Sequence, residues 1–119
     1  MLKTNLIHLE TEQDFEDTIK NNANVMICCG RMGPMCIPVY AMMEELRPHY
    51  QHVVFTDMDF DNRRTAVHIR RLPECSSFKG LPFTVYFKNS KVARATSSLQ
   101  TKIQIMKILD EVFPSDAKE

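Results

Sequence analysis

The chain has 119 residues, enough for one domain with a core, and its 44% hydrophobic and 25% charged residues are typical of a globular protein. Fifteen Lys and Arg balance fifteen Asp and Glu, so no general attraction to nucleic acid or to an anionic membrane is expected. Because the sequence has neither a signal-peptide core nor an apolar run of about 18 residues, it predicts a cytoplasmic protein, expected as a monomer with one domain over residues 1–119.

The N-terminal part of the chain predicts two strands separated by a helix. Residues 5–9 are short and apolar, which favours a first strand. Thr11 as N-cap and Asp14 in the first turn then predict a helix with Phe15 on its buried face. Residues 25–29 form a continuous apolar run between polar neighbours, which is typical of a buried central strand.

The middle of the chain alternates helix and strand. Residues 35–50 predict an amphipathic helix, 52–57 a strand and 63–69 a short helix, whereas 72–80 form an irregular inserted loop. The apolar stripe of the first of these helices contains Val39, Met42, Met43 and Leu46.

The C-terminal part predicts a hairpin and a last helix. Residues 83–87 and 91–96 are the two strands, 100–113 the helix and 114–119 a frayed polar tail. The inward face of that helix is predicted to hold Ile103, Ile105, Met106, Leu109, Val112 and Phe113. The whole order is β-α-β-α-β-α-β-β-α, which predicts an α/β fold with a mixed central sheet of about five strands flanked by four helices.

The segment 29–36, called the turn below, joins the buried strand to the amphipathic helix and carries the most distinctive chemistry. Its sequence is Cys-Gly-Arg-Met-Gly-Pro-Met-Cys, so Cys36 lies where the helix begins. Dithiol exchange needs a second sulfur about one helical turn away to resolve the mixed disulfide. The residue three positions before Cys36 is Gly33, which cannot serve.

The element order resembles that of thioredoxin along nearly the whole chain, with Gly33-Pro34 before the second helix and Leu81-Pro82 before the hairpin. This resemblance implies a cis peptide at Leu81-Pro82 facing the turn, in a loop whose backbone pairs with an extended partner chain. It also implies a thioredoxin-like fold.

The active-site pattern departs from that family. In place of Trp-Cys-Gly-Pro-Cys the chain has Met32-Gly33-Pro34-Met35-Cys36. Counted back from Glu44-Glu45-Leu46, Cys36 takes the second, resolving position and Gly33 replaces the nucleophile. Aligned on Gly-Pro instead, Met32 and Met35 take both cysteine positions, so either register removes the attacking thiol. The family's buried aspartate, which assists proton transfer, falls on Ile27, and the tryptophan that precedes this pattern falls on Cys29. An insertion over residues 72–79, which carries Cys75, precedes the loop that contains Leu81-Pro82, called the proline loop below.

The cysteines permit several interpretations. Cys36 is an inert buried thiol, a monothiol, or the partner of Cys29; Cys75 is a surface thiol or reaches over the turn. Cys28 and Cys29 are adjacent on a strand, so they are not expected to face the core together. Four soft ligands, Cys29, Met32, Met35 and Cys36, would also suit Cu(I).

No resident metal or cofactor is predicted. The histidines at positions 8, 49, 52 and 68 lack metal-ligand spacing, and no Gly-rich phosphate loop is present. A local basic patch, formed by Arg63, Arg64, Arg70 and Arg71, is interpreted as a solvated helix face.

Two functions remain open. The preferred hypothesis is a protein-binding or redox-accessory module that uses Met32, Gly33, Pro34, Met35, Leu81 and Pro82 to contact a protein or peptide. The alternative is a thiol-disulfide oxidoreductase in which Cys36 attacks, assisted by the helix N-terminus, and Cys29 or Cys75 resolves.

Overall fold

The computed structural model describes residues 2–77 and 80–114, and its strands form one mixed sheet. The strands are β1 (Ile7–His8), β2 (Asn24–Gly30), β3 (Val54–Asp59), β4 (Phe83–Lys88) and β5 (Lys91–Ser97). Their order across the sheet is β1-β3-β2-β4-β5. The strands β1, β2 and β3 are parallel to one another, β4 pairs antiparallel with β2, and β5 pairs antiparallel with β4. The strand β2, which leads into the turn, therefore occupies the centre.

Helices cover both faces of this sheet. They are α1 (Glu12–Asn21), α2 (Ile37–Leu46), α3 (Arg63–Arg70) and α4 (Lys102–Val112), with short 3-10 helices at Arg47–His49 and Pro73–Ser77. The predicted α/β class, with a five-stranded mixed sheet and four helices, is confirmed. Among the described residues, none of the helices has the length and apolar character needed to span a bilayer.

The starts of α1 and α4 follow from local chemistry. Thr11 accepts a hydrogen bond from the Asp14 N–H, and the Asp14 carboxylate accepts from the Thr11 N–H, which completes a capping box. Thr101 and Gln104 form the equivalent box at α4. The predicted N-cap of α1 is confirmed.

The helix α2 is shorter than the predicted 35–50. It begins at Ile37 with Pro38 in its first turn, where a missing N–H costs least. After Leu46 the chain continues as a 3-10 helix containing Pro48. Because proline cannot donate to the carbonyl one turn back, the α-helical pattern cannot continue through this position.

The inserted segment 72–80 was predicted as a loop, and in part this was wrong. Residues Pro73–Ser77 form a 3-10 helix that follows α3 in the chain. Residues 78 and 79 lie outside the described residues, as does the predicted frayed tail from 115 onward.

The sheet separates two hydrophobic cores. The α2/α4 core holds Met26, Cys28, Cys36, Tyr40 and Tyr86 among its buried residues. The α1/α3 core holds Phe15, Ile27, Cys29, Met58 and Ile69.

The prediction that Cys28 and Cys29 do not face the same core is confirmed. The two side chains do point to opposite sides of β2, but helices cover both sides, so each cysteine is fully buried in its own core.

The predicted inward face of α2 needs one change, and that of α4 needs two, because Ile108 is buried and was not predicted inward. Tyr40 is 2% exposed and belongs to the buried face of α2, although the predicted stripe did not include it. Ile103 was predicted inward but is 78% exposed, because Ile105, Ile108 and Leu109 already define the buried face of α4.

Candidate functional site

The turn between β2 and α2 places Cys36 at the N-cap of α2. The Cys36 and Ile37 N–H groups both donate to the Gly33 carbonyl, at 3.1 and 3.0 Å, which closes the turn over Pro34 and Met35. The Cys36 side chain makes no capping hydrogen bond. The turn therefore carries its thiol at the start of the helix.

The exposure of the turn residues divides them into two groups. Met32 and Met35 are 42% and 43% exposed, and Ile37 that follows is 45% exposed. Cys36 is only 3% exposed, and its sulfur lies 3.4 Å from the Arg31 N–H, which donates to it. The methionines are therefore presented to solvent, while the thiol is covered.

Gly30, the last residue of β2, is the position around which the site converges. A Cβ atom at Gly30 would lie 2.7 Å from the Tyr40 hydroxyl, 2.8 Å from Cys36 Sγ and 3.2 Å from Pro82 Cβ. Such distances leave no room for a side chain. Glycine at this position therefore allows α2, the turn and the proline loop to meet.

Tyr40 is a site residue that the sequence analysis missed. Its hydroxyl donates to the Arg31 carbonyl at 3.1 Å and so ties α2 to the chain just after β2. Burial raises the pKa of this phenol. The signal available in the sequence was its position four residues after Cys36, on the same face of the helix.

The proline loop lies opposite the turn. The Leu81-Pro82 peptide bond is cis. Pro82 is buried, while Leu81 is half-buried against the α2/α4 core. The Pro82 carbonyl accepts a hydrogen bond from the Ser98 N–H at 2.9 Å, which joins this loop to the end of β5.

The four thiols are free and divide between the two faces of the sheet. Cys28 and Cys36 belong to the α2/α4 core, whereas Cys29 belongs to the α1/α3 core, against which Cys75 packs. Thus the structure does not bring Cys29 to the same side of β2 as Cys36. Burial raises the pKa of Cys29 to about 12 and raises that of Cys28 as well.

Asp57 on β3 is a buried acid that the sequence analysis did not single out. It is 1% exposed; the Thr4 hydroxyl donates to one carboxylate oxygen at 2.5 Å, and His8 Nδ1 lies 2.7 Å from the other. It is aligned with Cys28 on the neighbouring strand. Burial raises the pKa of Asp57 more than these two hydrogen bonds lower it.

Arginines and one aromatic ring form the rim next to the turn. Arg31 makes hydrogen bonds of 2.9–3.1 Å to both carboxylate oxygens of Asp61, and this contact holds the pKa of Asp61 below its ordinary range. The guanidinium groups of Arg31 and Arg70 lie 5.3 and 4.1 Å from the centre of the Phe60 ring. Arg70, predicted as part of a solvated patch, thus also packs on Phe60.

The described residues do not assemble the ligand sets considered from the sequence. Within residues 2–77 and 80–114, no group of three or more His, Cys, Asp and Glu side chains is placed to hold a metal ion. Of the four soft ligands considered for Cu(I), Cys29 lies on the far face of the sheet, Cys36 is covered, and the two methionines are exposed.

Comparison with known structures shows the thioredoxin fold. Thioredoxin from Trypanosoma brucei brucei superimposes with a TM-score of 0.74 at 12% identity, over 96% of this chain and 96% of that one. Mitochondrial thioredoxin 3 from Saccharomyces cerevisiae gives 0.72 at 20% identity, over 89% and 94%. Thioredoxin from Plasmodium falciparum gives 0.72 at 15% identity, over 90% and 97%. No protein-family model and no curated protein sequence matches the chain.

Proposed function

We propose that this chain is a thioredoxin-like protein-binding or redox-accessory module whose single-cysteine turn binds a protein or peptide without turning over disulfides. The observation that carries the proposal is the contrast within the turn: Cys36 is 3% exposed, while Met32 and Met35 beside it are each more than 40% exposed. A module of this kind would act in the cytosol as a monomer.

The proposed contact surface, called the turn surface below, consists of Met32, Gly33, Pro34, Met35 and Leu81, together with the buried Pro82 of the cis peptide. Methionine side chains are flexible and polarizable, so they adapt to different apolar partners. The neighbouring Ile37 is also exposed and enlarges the apolar area. These features favour a partner that presents apolar side chains on an extended segment of chain.

The position of the thiols supports binding over dithiol exchange. A resolving sulfur must approach the mixed disulfide directly, because the reaction proceeds by attack of one sulfur on another. Position 33 is glycine, and Cys29 points into the opposite core. An oxidoreductase based on Cys36 with Cys29 or Cys75 would have to bring sulfurs together from two sides of β2.

Binding can be tested with peptides selected from a displayed random library against the wild-type protein. We expect the peptides to carry apolar side chains, and Met32→Gln/Met35→Gln to weaken their binding at least about tenfold, since burying one methionine contributes about 1.5–3 kcal/mol. Ile103→Gln is the matched control, because Ile103 is 78% exposed and lies away from the turn. Its neighbour Lys102 pairs with Glu45, which lies at the end of α2 opposite to Cys36. Equal binding to the double variant and to the wild type would contradict the proposal.

Turnover is tested separately by an assay that follows the reduction of a protein disulfide, with a thioredoxin as positive control. We expect the wild-type protein and Cys36→Ser to be equally inactive, and Cys36→Ser to retain peptide binding. Multiple turnovers by the wild-type protein that disappear in Cys36→Ser would overturn the proposal and establish the oxidoreductase alternative.

A further inference from the structure

A second pair of thiols lies on the α1/α3 side of the sheet, away from the turn surface. Cys29 is fully buried in the α1/α3 core, and Cys75 packs against the same core from the 3-10 helix Pro73–Ser77. Cys75 is partly exposed, so one thiol of the pair is in contact with solvent.

The backbone directs Cys75 toward that core. After α3 the Leu72 N–H donates to the Ile69 carbonyl at 3.1 Å, and the Cys75 N–H donates to the Leu72 carbonyl at 2.9 Å. Three-residue spacing places successive side chains on one face of a 3-10 turn. Ile69 is buried in the core that contains Cys29, and Leu72 and Cys75 pack against the same core.

The same cation acts on both thiols. Burial raises the pKa of both thiols, and a negative charge on Cys75 raises that of Cys29 further, while the Arg70 cation offsets part of the rise in each. Arg70 is held in place because its guanidinium stacks on the Phe60 ring at 4.1 Å and donates to the Phe60 carbonyl at 3.3 Å. One fixed cation thus lies within electrostatic range of both sulfurs.

We propose that Cys29 and Cys75 form a dithiol redox site that reacts with small-molecule disulfides such as glutathione disulfide, independently of Cys36. The order of events follows from access. Cys75 is partly exposed and reacts first; Cys29 is fully buried and resolves from within the core.

The reaction balances with one small disulfide as the oxidant. The Cys75 thiolate attacks one sulfur of the disulfide, its S–S bond breaks, and the first small thiolate leaves with a mixed disulfide remaining on Cys75. Cys29 then gives up its proton and attacks the Cys75 sulfur, which forms the Cys29–Cys75 bond and releases the second small thiolate. Two protein thiols are oxidised, and one small disulfide is reduced to two thiols, which take up the two protons.

The bond would join the insertion to the centre of the sheet. Cys29 is paired in register with Phe83 on β4, and Phe83 directly follows Pro82 of the turn surface. The oxidised form would therefore fix the segment 73–77 beside the strand that leads out of the proline loop.

The full chain, reduced and then incubated with glutathione disulfide, tests the proposal by peptide mass mapping after the remaining thiols are alkylated in acid. We expect one intramolecular Cys29–Cys75 disulfide in the wild-type protein, in Cys36→Ser and in Cys28→Ser. The last is a matched control on the same strand and the opposite face. A wild-type protein that only accumulates glutathione on Cys75, or that forms a bond to Cys36 instead, overturns the proposal.

Two further variants separate the steps. Cys75→Ser changes a partly exposed side chain and should lose the intramolecular disulfide completely. Cys29→Ala should keep glutathione on Cys75 as a stable mixed disulfide, because the resolving thiol is gone. If the mixed disulfide forms and persists equally in the wild-type protein and in Cys29→Ala, then Cys29 does not resolve it and the proposal is wrong.

Discussion

The sulfur of Cys36 lies directly against the backbone of Gly30, so close that a Cβ atom on this glycine would come within 2.8 Å of it. The relationship joins the end of the central strand to the start of α2. The position of the covered Cys36 thiol therefore depends on the absence of a side chain at Gly30.

Gly30→Ala is therefore expected to destabilise the protein. The added methyl group would meet the Tyr40 hydroxyl and Cys36 Sγ at under 3 Å, so these two buried side chains must shift, with a cost of about 1–3 kcal/mol for overpacking. Urea unfolding measures the change. Gly33→Ala is the control, because a Cβ there meets nothing within 4 Å, and it should alter the free energy of unfolding by no more than about 0.5 kcal/mol. Equal stability of the two variants would contradict the close contact at Gly30.

Asp57→Asn is expected to stabilise the protein at neutral pH. Burial raises the pKa of Asp57 above its ordinary 3.8, so the folded state binds this proton at a higher pH than the unfolded state does. The contribution of Asp57 to stability therefore falls as pH rises through its folded pKa, so the penalty is larger at pH 7 than in acid. Asparagine carries no charge and can still bond to Thr4 and His8.

The measurement for Asp57 is the difference in free energy of unfolding between variant and wild type across pH. The advantage of Asp57→Asn should be largest at pH 7 and should shrink as pH falls toward about 3.8. Taking the difference removes the other carboxylates, such as Asp61, whose lowered pKa acts in the opposite direction. A difference that grows in acid would show that the charged form of Asp57 is favoured in the folded protein.

Thr11→Ala should cost about 0.5–2 kcal/mol, because it removes the acceptor that caps α1. Its control is Thr18→Ala in the same helix, where alanine raises helix propensity and no cap is lost. Both are measured by urea unfolding. A loss for Thr18→Ala as large as for Thr11→Ala would assign the effect to packing of α1 and not to its cap.

Features carried by neighbouring residues were predictable from the sequence. The run 25–29 indicated the central strand, and the pair Thr11 and Asp14 indicated the start of α1, because each signal depends on a few adjacent side chains. The element order likewise indicated the sheet and its covering helices. The strand, the helix start and the element order are determined by the physical chemistry of residues that are neighbours in the chain.

Features that depend on contacts between distant segments were not predictable. Asp57 is buried beneath Thr4 and His8, which lie about fifty residues earlier in the chain. The separation of Cys29 from Cys36 follows from which face of β2 each helix covers, and the approach of Cys75 follows from an insertion whose 3-10 geometry has weak sequence signals. A single sequence shows no such pairing.

Ile103 and Ile105 give the sharpest test of the corrected face of α4. Both were predicted inward, yet Ile103 is 78% exposed and Ile105 is fully buried. Ile105→Ala should cost about 2–5 kcal/mol, because it opens a cavity in the α2/α4 core. Ile103→Ala should lie within about 0.5 kcal/mol of the wild type, since it removes solvent-exposed surface and alanine is the better helix former. Urea unfolding of the two variants compares the same chemical change two residues apart, and similar losses at both would place Ile103 in a buried contact after all.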